Sequence, residues 1–239
     1  MSTNLSAGMD SRAIALENAQ FMSRVYAWMT SGILITFGIA YGVNEVPELA
    51  RFGHQNPIML IGLFVAQLGL VFYLSAAIKT MRSTTAMAVY LLYAGLVGLT
   101  FSVIFQAYTQ DSIASVFLLT GCCFGGLSAF GYITKVDLGP VGSFCTMGLF
   151  GIIGFLFVSM FFPSMRANGS LQQGVSIFGV LIFAGLTAYD TQKIKSLNVI
   201  GNSGTEEDTK EAIFGALTLY LDFINLFMFL LRLFGRRRD

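Results

Sequence analysis

Charge is scarce in this sequence. Only 11% of the 239 residues are charged, whereas 55% are hydrophobic, and a soluble domain carries charge at about 25% of its positions. The formal net charge is +1, and the basic residues stand between apolar blocks instead of forming one patch, so nothing favours nucleic acid as a partner. These proportions indicate an integral membrane protein whose main partner is the lipid bilayer.

Motifs for metal binding and for common catalytic chemistry are also lacking. The only histidine is His54, and Cys122, Cys123 and Cys145 fall in apolar runs without CxxC or Cys/His spacing. We expect the three cysteines to pack as small buried hydrophobes. The sequence has no glycine-rich phosphate loop, HExxH or GxSxG motif either. We therefore expect neither an enzyme nor a bound cofactor.

Seven apolar segments approach or exceed the length of about 20 residues that a membrane-spanning helix needs. They are Val25–Val43, Pro57–Ile78, Thr85–Tyr108, Ser112–Thr134, Gly139–Phe162, Gly174–Ile194 and Ala212–Phe234. Because most connections are short, we predict one all-α domain, a seven-helix transmembrane bundle over residues 23–235. A polar cytoplasmic segment, residues 1–22, precedes it, and a basic tail, residues 236–239, follows. The polar start lacks the layout of a cleavable signal peptide.

Lysine and arginine in the loops indicate how the bundle is oriented. One side carries the larger set: Arg12, Arg24, Lys79, Arg82, Lys135, Lys193, Lys195 and Lys210. The other side carries Arg51, His54 and Arg166, so we assign the first side to the cytoplasm. Residues 236–238, all arginine, then fall outside, against the usual tendency. Either the early helices override the rule, as we assume, or the last segment is re-entrant.

Asp222 lies in the middle of the last apolar segment. It is about ten residues from either end, roughly 15 Å from each surface, where an unpaired charge costs between about 3 and 10 or more kcal/mol and so faces protein or water. Spacings of three and four add further residues to one largely polar or small stripe: Glu211, Gly215, Thr218, Asn225, Phe229 and Arg232. We predict that the last helix is central and that this stripe lines a cavity or a polar seam, in which case Thr218 and Asn225 would be the pore-lining residues of a channel.

Asp190 lies near the cytoplasmic end of the sixth segment, three residues before Lys193. A simple pair with Lys193 would contribute about a few tenths of a kcal/mol if exposed. If the sixth and seventh helices pack antiparallel, Asp190 instead approaches Asp222. Two close carboxylates cannot both ionise cheaply and titrate in coupled steps. Such a pair would sense protons or, when fully ionised, offer oxygen ligands to a hard cation such as calcium.

Two stretches carry a family resemblance. They are Thr187-Ala-Tyr-Asp-Thr-Gln-Lys193 and Ala216-Leu-Thr-Leu-Tyr-Leu-Asp-Phe-Ile-Asn-Leu-Phe227. In this order, on consecutive helices, they resemble the C-terminal signature of the transmembrane Bax inhibitor motif family, the Bax inhibitor-one-like proteins. Over the first five segments the resemblance rests mainly on span count and loop lengths. It implies a bacterial member of the family, located in the inner membrane, with the last of seven helices in the middle.

The resemblance also implies a pH-dependent calcium leak. In the family, the carboxylates that match Asp190 and Asp222 form a hydrogen-bonded pair that senses pH, and a basic residue of the second helix can latch the closed state. Lys79 and Arg82 are the two candidates for that latch. We therefore expect a leak channel for calcium or similar cations, gated by protonation of the two aspartates.

Two other functions stay open. A non-transporting interaction protein would modulate a membrane protein partner, for instance a quality-control protease, through the polar N-terminal segment and the charged loop from Thr205 to Glu211. An intramembrane aspartyl protease would use the two carboxylates for acid/base hydrolysis. The stretch Leu219-Tyr-Leu-Asp222 lacks the glycines that such an enzyme carries beside its second aspartate.

Overall fold

The structure is a computed structural model that describes residues 2–46, 48 and 57–238, without the side chains of residues 2–10, 57 and 166. Within these ranges the regular structure is helical: α1 (Ser2–Glu45), α2 (Pro57–Ala77), α3 (Ser83–Ala107), α4 (Gln110–Ile133), α5 (Gly139–Phe161), α6 (Pro163–Ala167), α7 (Gly169–Leu197) and α8 (Glu206–Phe234). Seven of them are long and apolar enough to cross a membrane. The predicted all-α fold with seven spans is confirmed. Arg51 and His54 lie outside the described residues.

The first helix is much longer than the predicted span. It begins at Ser2 instead of Val25 and continues without a break past residue 22, where we placed the end of the polar segment. The sequence explains this continuity, because it contains no proline before Pro47 and no glycine between Gly8 and Gly32.

The connection between α7 and α8 is shorter than predicted. It covers residues 198–205 and turns at Gly201 and Gly204, whose φ angles of 88° and 81° lie in the left-handed region that favours glycine. The hydroxyl of Thr205 then accepts a hydrogen bond from the backbone N–H of Asp208, 3.2 Å away, and so caps α8. The prediction of a charged loop from Thr205 to Glu211 was therefore wrong, because its acidic residues form the first turn of a helix.

Asp208 is tied into the fold by an ion pair. Its side chain is 2% exposed and lies 2.8 Å from the guanidinium of Arg24 in α1. The backbone N–H of Gly204 also donates to this carboxylate, at 2.9 Å. The acidic start of α8 thus anchors the helix to α1.

The chain forms two compact units, one of Met1–Ile104 with Ile194–Tyr220 and one of Phe105–Lys193 with Leu221–Asp239. In the first unit, Tyr220 of α8 is fully buried and its hydroxyl lies 2.6 Å from that of Thr36. Thr36 donates to the carbonyl of Ala94 at 2.9 Å, so Tyr220 donates to Thr36. The rings of Tyr90 and Tyr93 meet Tyr220 edge to face, with centroids 6.1 and 5.8 Å away.

In the second unit, the later half of α8 packs through aromatic rings. Phe223 meets Phe117 and Phe124 of α4 edge to face, at centroid distances of 5.6 and 5.5 Å. Phe229 stacks on Phe183 of α7 at 5.8 Å. Of the apolar window of α8, 72% is buried, against 50% for α3, the next most buried span among the described residues. This enclosure agrees with the prediction that the last helix is the central one.

The three cysteines do not share one environment. Cys145 in α5 is buried, as predicted, but Cys122 and Cys123 in α4 are exposed. The prediction of burial was wrong for these two because α4 is apolar over most of its circumference, so hydrophobicity did not indicate which face turns inward. In a membrane span such exposed thiols face the lipid.

Asp208→Asn should destabilise the protein by about 1 to 3 kcal/mol, because the amide cannot accept both charge-assisted contacts of a buried carboxylate. The matched control is Glu207→Gln, the same acid-to-amide change one residue earlier. Glu207 is 66% exposed and 3.9 Å from Lys210, so its loss should stay within about 0.5 kcal/mol. Equal melting temperatures of the two variants in detergent would contradict the anchoring role of Asp208.

Candidate functional site

Asp190 and Asp222 come together because α7 and α8 run antiparallel in the second unit. Phe183 stacks on Phe229, and seven residues, or two helical turns, separate each phenylalanine from the aspartate of its own helix. The two carboxyl groups are hydrogen-bonded to each other. The structure thus brings together the two residues that the sequence singled out.

Asp222 is deeply buried. Its exposed fraction is 4%, and its Oδ2 atom has no hydrogen-bond partner among the described residues. The residue that follows it, Phe223, is enclosed by the rings of Phe117 and Phe124. A buried carboxyl oxygen without a partner normally costs stability, which makes Asp222 the most anomalous polar group of the second unit.

Asp190 is partly exposed and therefore connects the buried carboxyl group with the surroundings. Lys193, one turn further along α7, interacts electrostatically with it and is itself exposed. The ammonium group of Lys193 also lies 5.5 Å from the centroid of the Tyr189 ring. A hydrogen bond between two carboxyl groups requires a proton on one of them, so the geometry links proton occupancy to the contact between α7 and α8.

Two glycines allow neighbouring helices to approach the turn of α7 around Asp190, residues 188–192, which we call the Asp190 turn. A Cβ atom built at Gly131 of α4 would overlap the backbone carbonyl of Ala188, and one built at Gly142 of α5 would lie 2.5 Å from the ring of Tyr189. Small residues at such positions let helix backbones approach closely in a membrane. Sequence reasoning missed both glycines, because nothing in an apolar helix marks which of its glycines meets a neighbour.

Polar contacts fix the same turn from its other sides. The hydroxyls of Thr191 and Ser128 lie 2.9 Å apart. The Gln192 side chain accepts from the N–H of Leu138 at 2.9 Å and donates to the carbonyl of Val136 at 2.8 Å. The residues on either side of Asp190 are therefore held by α4 and by the start of α5, while Asp190 itself meets Asp222.

The two predicted pore-lining residues bond to their own helix. Thr218 donates to the carbonyl of Phe214 at 3.1 Å, and Asn225 donates to the carbonyl of Leu221 at 2.8 Å. Thr218 belongs to the first unit and Asn225 to the second. Both side chains are partly buried, and their role in a pore stays a prediction.

The two candidate latch residues lie in the first unit. Lys79 and Arg82 are exposed, and among the described residues neither takes part in an ion pair. The backbone carbonyl of Lys79 accepts a hydrogen bond from Lys210 at 3.3 Å. The latch therefore stays a prediction for both residues.

The carboxyl pair offers a cation two acidic side chains. Calcium takes six to eight oxygen ligands, and no group of three or more His, Cys, Asp or Glu residues that could hold a metal occurs in the described ranges. A calcium site at Asp190 and Asp222 therefore stays a prediction.

The fold and the site define a class of protein, a multi-pass membrane protein built on a bundle of seven candidate spans with a buried pair of carboxyl groups. Residues 18–239 match the protein family described as inhibitor of apoptosis-promoting Bax1, and the chain belongs to this Bax inhibitor family. The resemblance noted in the two C-terminal stretches is confirmed over most of the chain.

Relatives of similar length occur in several bacteria. The chain is 44% identical over 219 residues to the inner membrane protein YbhL of Escherichia coli K12, with 91% of this chain and 92% of that protein covered. It is 40% identical over 230 residues to a protein of Borreliella burgdorferi, covering 96% and 97% of the two chains. A Deinococcus radiodurans protein is 40% identical over 219 residues, covering 92% and 91%. With the seven spans, these matches confirm a multi-pass protein of the inner membrane.

Gly131→Ala should destabilise the protein by about 1 to 3 kcal/mol, because the added methyl group overlaps the Ala188 carbonyl and pushes α4 away from α7. Gly125→Ala is the matched control in the same helix, since a Cβ atom there has no neighbour within 4 Å. That change should be neutral or stabilise by up to about 1 kcal/mol, because alanine favours a helix interior. Thermal unfolding in detergent measures both, and equal shifts would contradict the close approach.

Proposed function

We propose that the protein is a pH-sensitive leak channel for calcium or similar cations, gated by protonation of Asp190 and Asp222. The observation that carries this proposal is the hydrogen-bonded carboxyl pair between antiparallel helices, with Asp222 buried and its Oδ2 atom unpartnered among the described residues. Ionisable groups kept inside a membrane are expensive and generally mark proton or ion pathways. Membership of the Bax inhibitor family supports the same function.

The mechanism is electrostatic. With one proton, the pair forms a hydrogen bond that holds α7 and α8 together. When both groups are charged they repel each other, and when both are protonated the charge-assisted hydrogen bond becomes a weaker neutral one, so in either state the contact changes. We propose that this change opens the seam along Thr218, Asp222 and Asn225 to a cation, which meets one or two carboxylates on its way.

Calcium flux into proteoliposomes across a pH series tests this mechanism. A step controlled by one proton changes by up to about tenfold per pH unit, so the wild-type flux should vary over the series. Asp222→Asn and Asp190→Asn should each flatten the profile, because asparagine resembles a protonated carboxyl group but cannot ionise. Asp111→Asn is the matched control, an exposed aspartate at the start of α4, and should retain the wild-type profile.

Wild-type pH dependence in both site variants would refute the gating mechanism. Absence of flux at every pH in the wild-type protein would refute transport itself.

The latch gives a separate prediction. We expect that either Lys79→Gln or Arg82→Gln raises calcium flux under conditions where the wild-type channel is closed, because one cation no longer holds a motif carboxylate. The other variant serves as the control, since both residues are exposed at the same end of α2 and both changes remove one positive charge. Closed-state flux that equals the wild type in both variants would remove the latch from the mechanism.

We propose as the alternative a non-transporting protein that modulates a membrane partner such as a protease. One observation favours an extended contact surface: only 6% of the apolar window of α2 is buried, the lowest fraction among the described spans, and its exposed side chains include Phe64 and Phe72. The start of α8 is a less suitable contact for a partner than the sequence suggested, because Asp208 already forms an ion pair with Arg24. A stable partner that copurifies with a flux-free protein would select this alternative.

We propose no hydrolytic activity. A protease needs water and a peptide bond at its carboxylates, and Asp222 is only 4% exposed. A cleavage assay on a membrane-embedded substrate, with Asp222→Asn as the control, would decide this.

A further inference from the structure

A second polar feature lies in the second unit, at the opposite end of α8 from its acidic first turn. It is a cavity of about 690 Å³ lined by the end of α5, the start of α7, the end of α8 and the C-terminal tail. Ligand pockets commonly have volumes of about 300 to 1,000 Å³. Its walls include the guanidinium-bearing residues Arg232 and Arg237 and the amide side chains Gln172 and Gln173.

The tail that supplies Arg237 is held in place by hydrogen bonds. The N–H of Thr109 donates to the carbonyl of Arg236 at 3.1 Å, and the N–H of Arg238 donates to the carbonyl of Ala107 at 3.0 Å. The N–H of Arg236 donates to the hydroxyl of Ser112 at 2.9 Å. The basic tail is therefore part of the fold, in a fixed position beside the turn between α3 and α4.

The pairing places Arg237 at the cavity. Tyr108 and Arg237 form an antiparallel bridge, and the side chains of directly paired residues lie on the same face, in agreement with their shared place in the cavity wall. A glycine makes the approach possible: a Cβ atom at Gly235 would lie 2.7 Å from the Tyr108 ring.

The cavity is positively charged and its charge is not neutralised by the described residues. Neither Arg232 nor Arg237 forms an ion pair there, and none of the lining residues is acidic. Arginine presents a planar set of donors that fits phosphate oxygens, and the two glutamines supply further donors. The chemistry selects an anion with several oxygen atoms.

The surface beside the cavity is apolar. Leu156 of α5 lines the cavity, and the next turn of that helix exposes Phe157, Met160 and Phe161. Exposed apolar residues of a spanning helix contact acyl chains. The adjacent charged and apolar surfaces therefore match a molecule that has a phosphate group and a hydrocarbon tail.

We propose that this cavity binds the phosphate headgroup of an acidic phospholipid, with Arg232 and Arg237 on the phosphate and the acyl chains along α5. Basic pockets between transmembrane helices on the cytoplasmic side of membranes bind acidic lipid headgroups, and the same pairing of guanidinium with phosphate is available on the other side. The proposal also accounts for the arginine tail, which the predicted orientation places on the side of the membrane that usually carries fewer positive charges.

Lipid titrations on the full-length protein test the proposal. The probe is phosphatidylglycerol in detergent micelles, with phosphatidylethanolamine of the same acyl chains as the zwitterionic comparison, and retained lipid is counted by native mass spectrometry. Arg232→Gln and Arg237→Gln should each weaken phosphatidylglycerol binding by about tenfold or more, the effect of losing a hydrogen bond to a charged group. Arg236→Gln is the matched control, because its side chain does not line the cavity, and should change affinity by less than about twofold.

Three outcomes would overturn the proposal: equal losses in all three variants, unchanged binding in Arg232→Gln and Arg237→Gln, or equal wild-type affinity for the two lipids. The melting temperature without added lipid checks folding. Arg237→Lys provides a second variant, which keeps the charge and should retain part of the affinity. Inorganic phosphate distinguishes the source of the anion: if it displaces the lipid with the same arginine dependence and binds equally well alone, the ligand is free phosphate and the lipid assignment is wrong.

Discussion

The cost of placing a carboxyl group in the middle of a membrane is the constraint on which the second unit depends. Asp222 cannot reach water from the centre of α8, so the protein must supply its surroundings. It does so with one hydrogen-bonded partner, Asp190, and with aromatic rings from α4 that close over the adjacent residue. The Oδ2 atom of Asp222 has no hydrogen-bond partner among the described residues, so the buried carboxyl group depends on the proton that it shares with Asp190.

The Asp190 turn shows how the rest of the unit holds that arrangement. Ala188 and Tyr189 pack on glycines of α4 and α5, while Thr191 and Gln192 make the polar contacts. A proton gained or lost by the pair therefore acts on a helix whose neighbouring residues are held by other contacts. Charge can then alter the α7–α8 contact without loosening α7 from α4 and α5.

Glycines and hydroxyl groups stabilise the contacts between these helices, a role that apolar burial has in a soluble protein. Lipid is as apolar as leucine, so helix association relies on close packing and hydrogen bonds. Gly131 and Gly142 allow the close packing, and the hydrogen bond between Ser128 and Thr191 joins α4 to α7. In the first unit, the hydrogen bond between Tyr220 and Thr36 serves the same purpose.

The sequence by itself determined the number of spans and singled out Asp222, because long apolar runs and a charge within one of them are visible without coordinates. It indicated the family through two C-terminal stretches, and Asp190 mainly through the stretch in which it lies. Only the tertiary structure decided which helix faces meet. Cys122 and Gly131 lie in an apolar helix without a periodicity that marks its inner face, so the sequence did not indicate which of them is buried. Asp208 was assigned to a loop because it is charged, and only its ion pair with Arg24 shows that it belongs to a buried helix start. The register that joins Asp190 to Asp222, and the pairing that turns the arginine tail into the wall of a cavity, are contacts distant in sequence, which local patterns cannot specify.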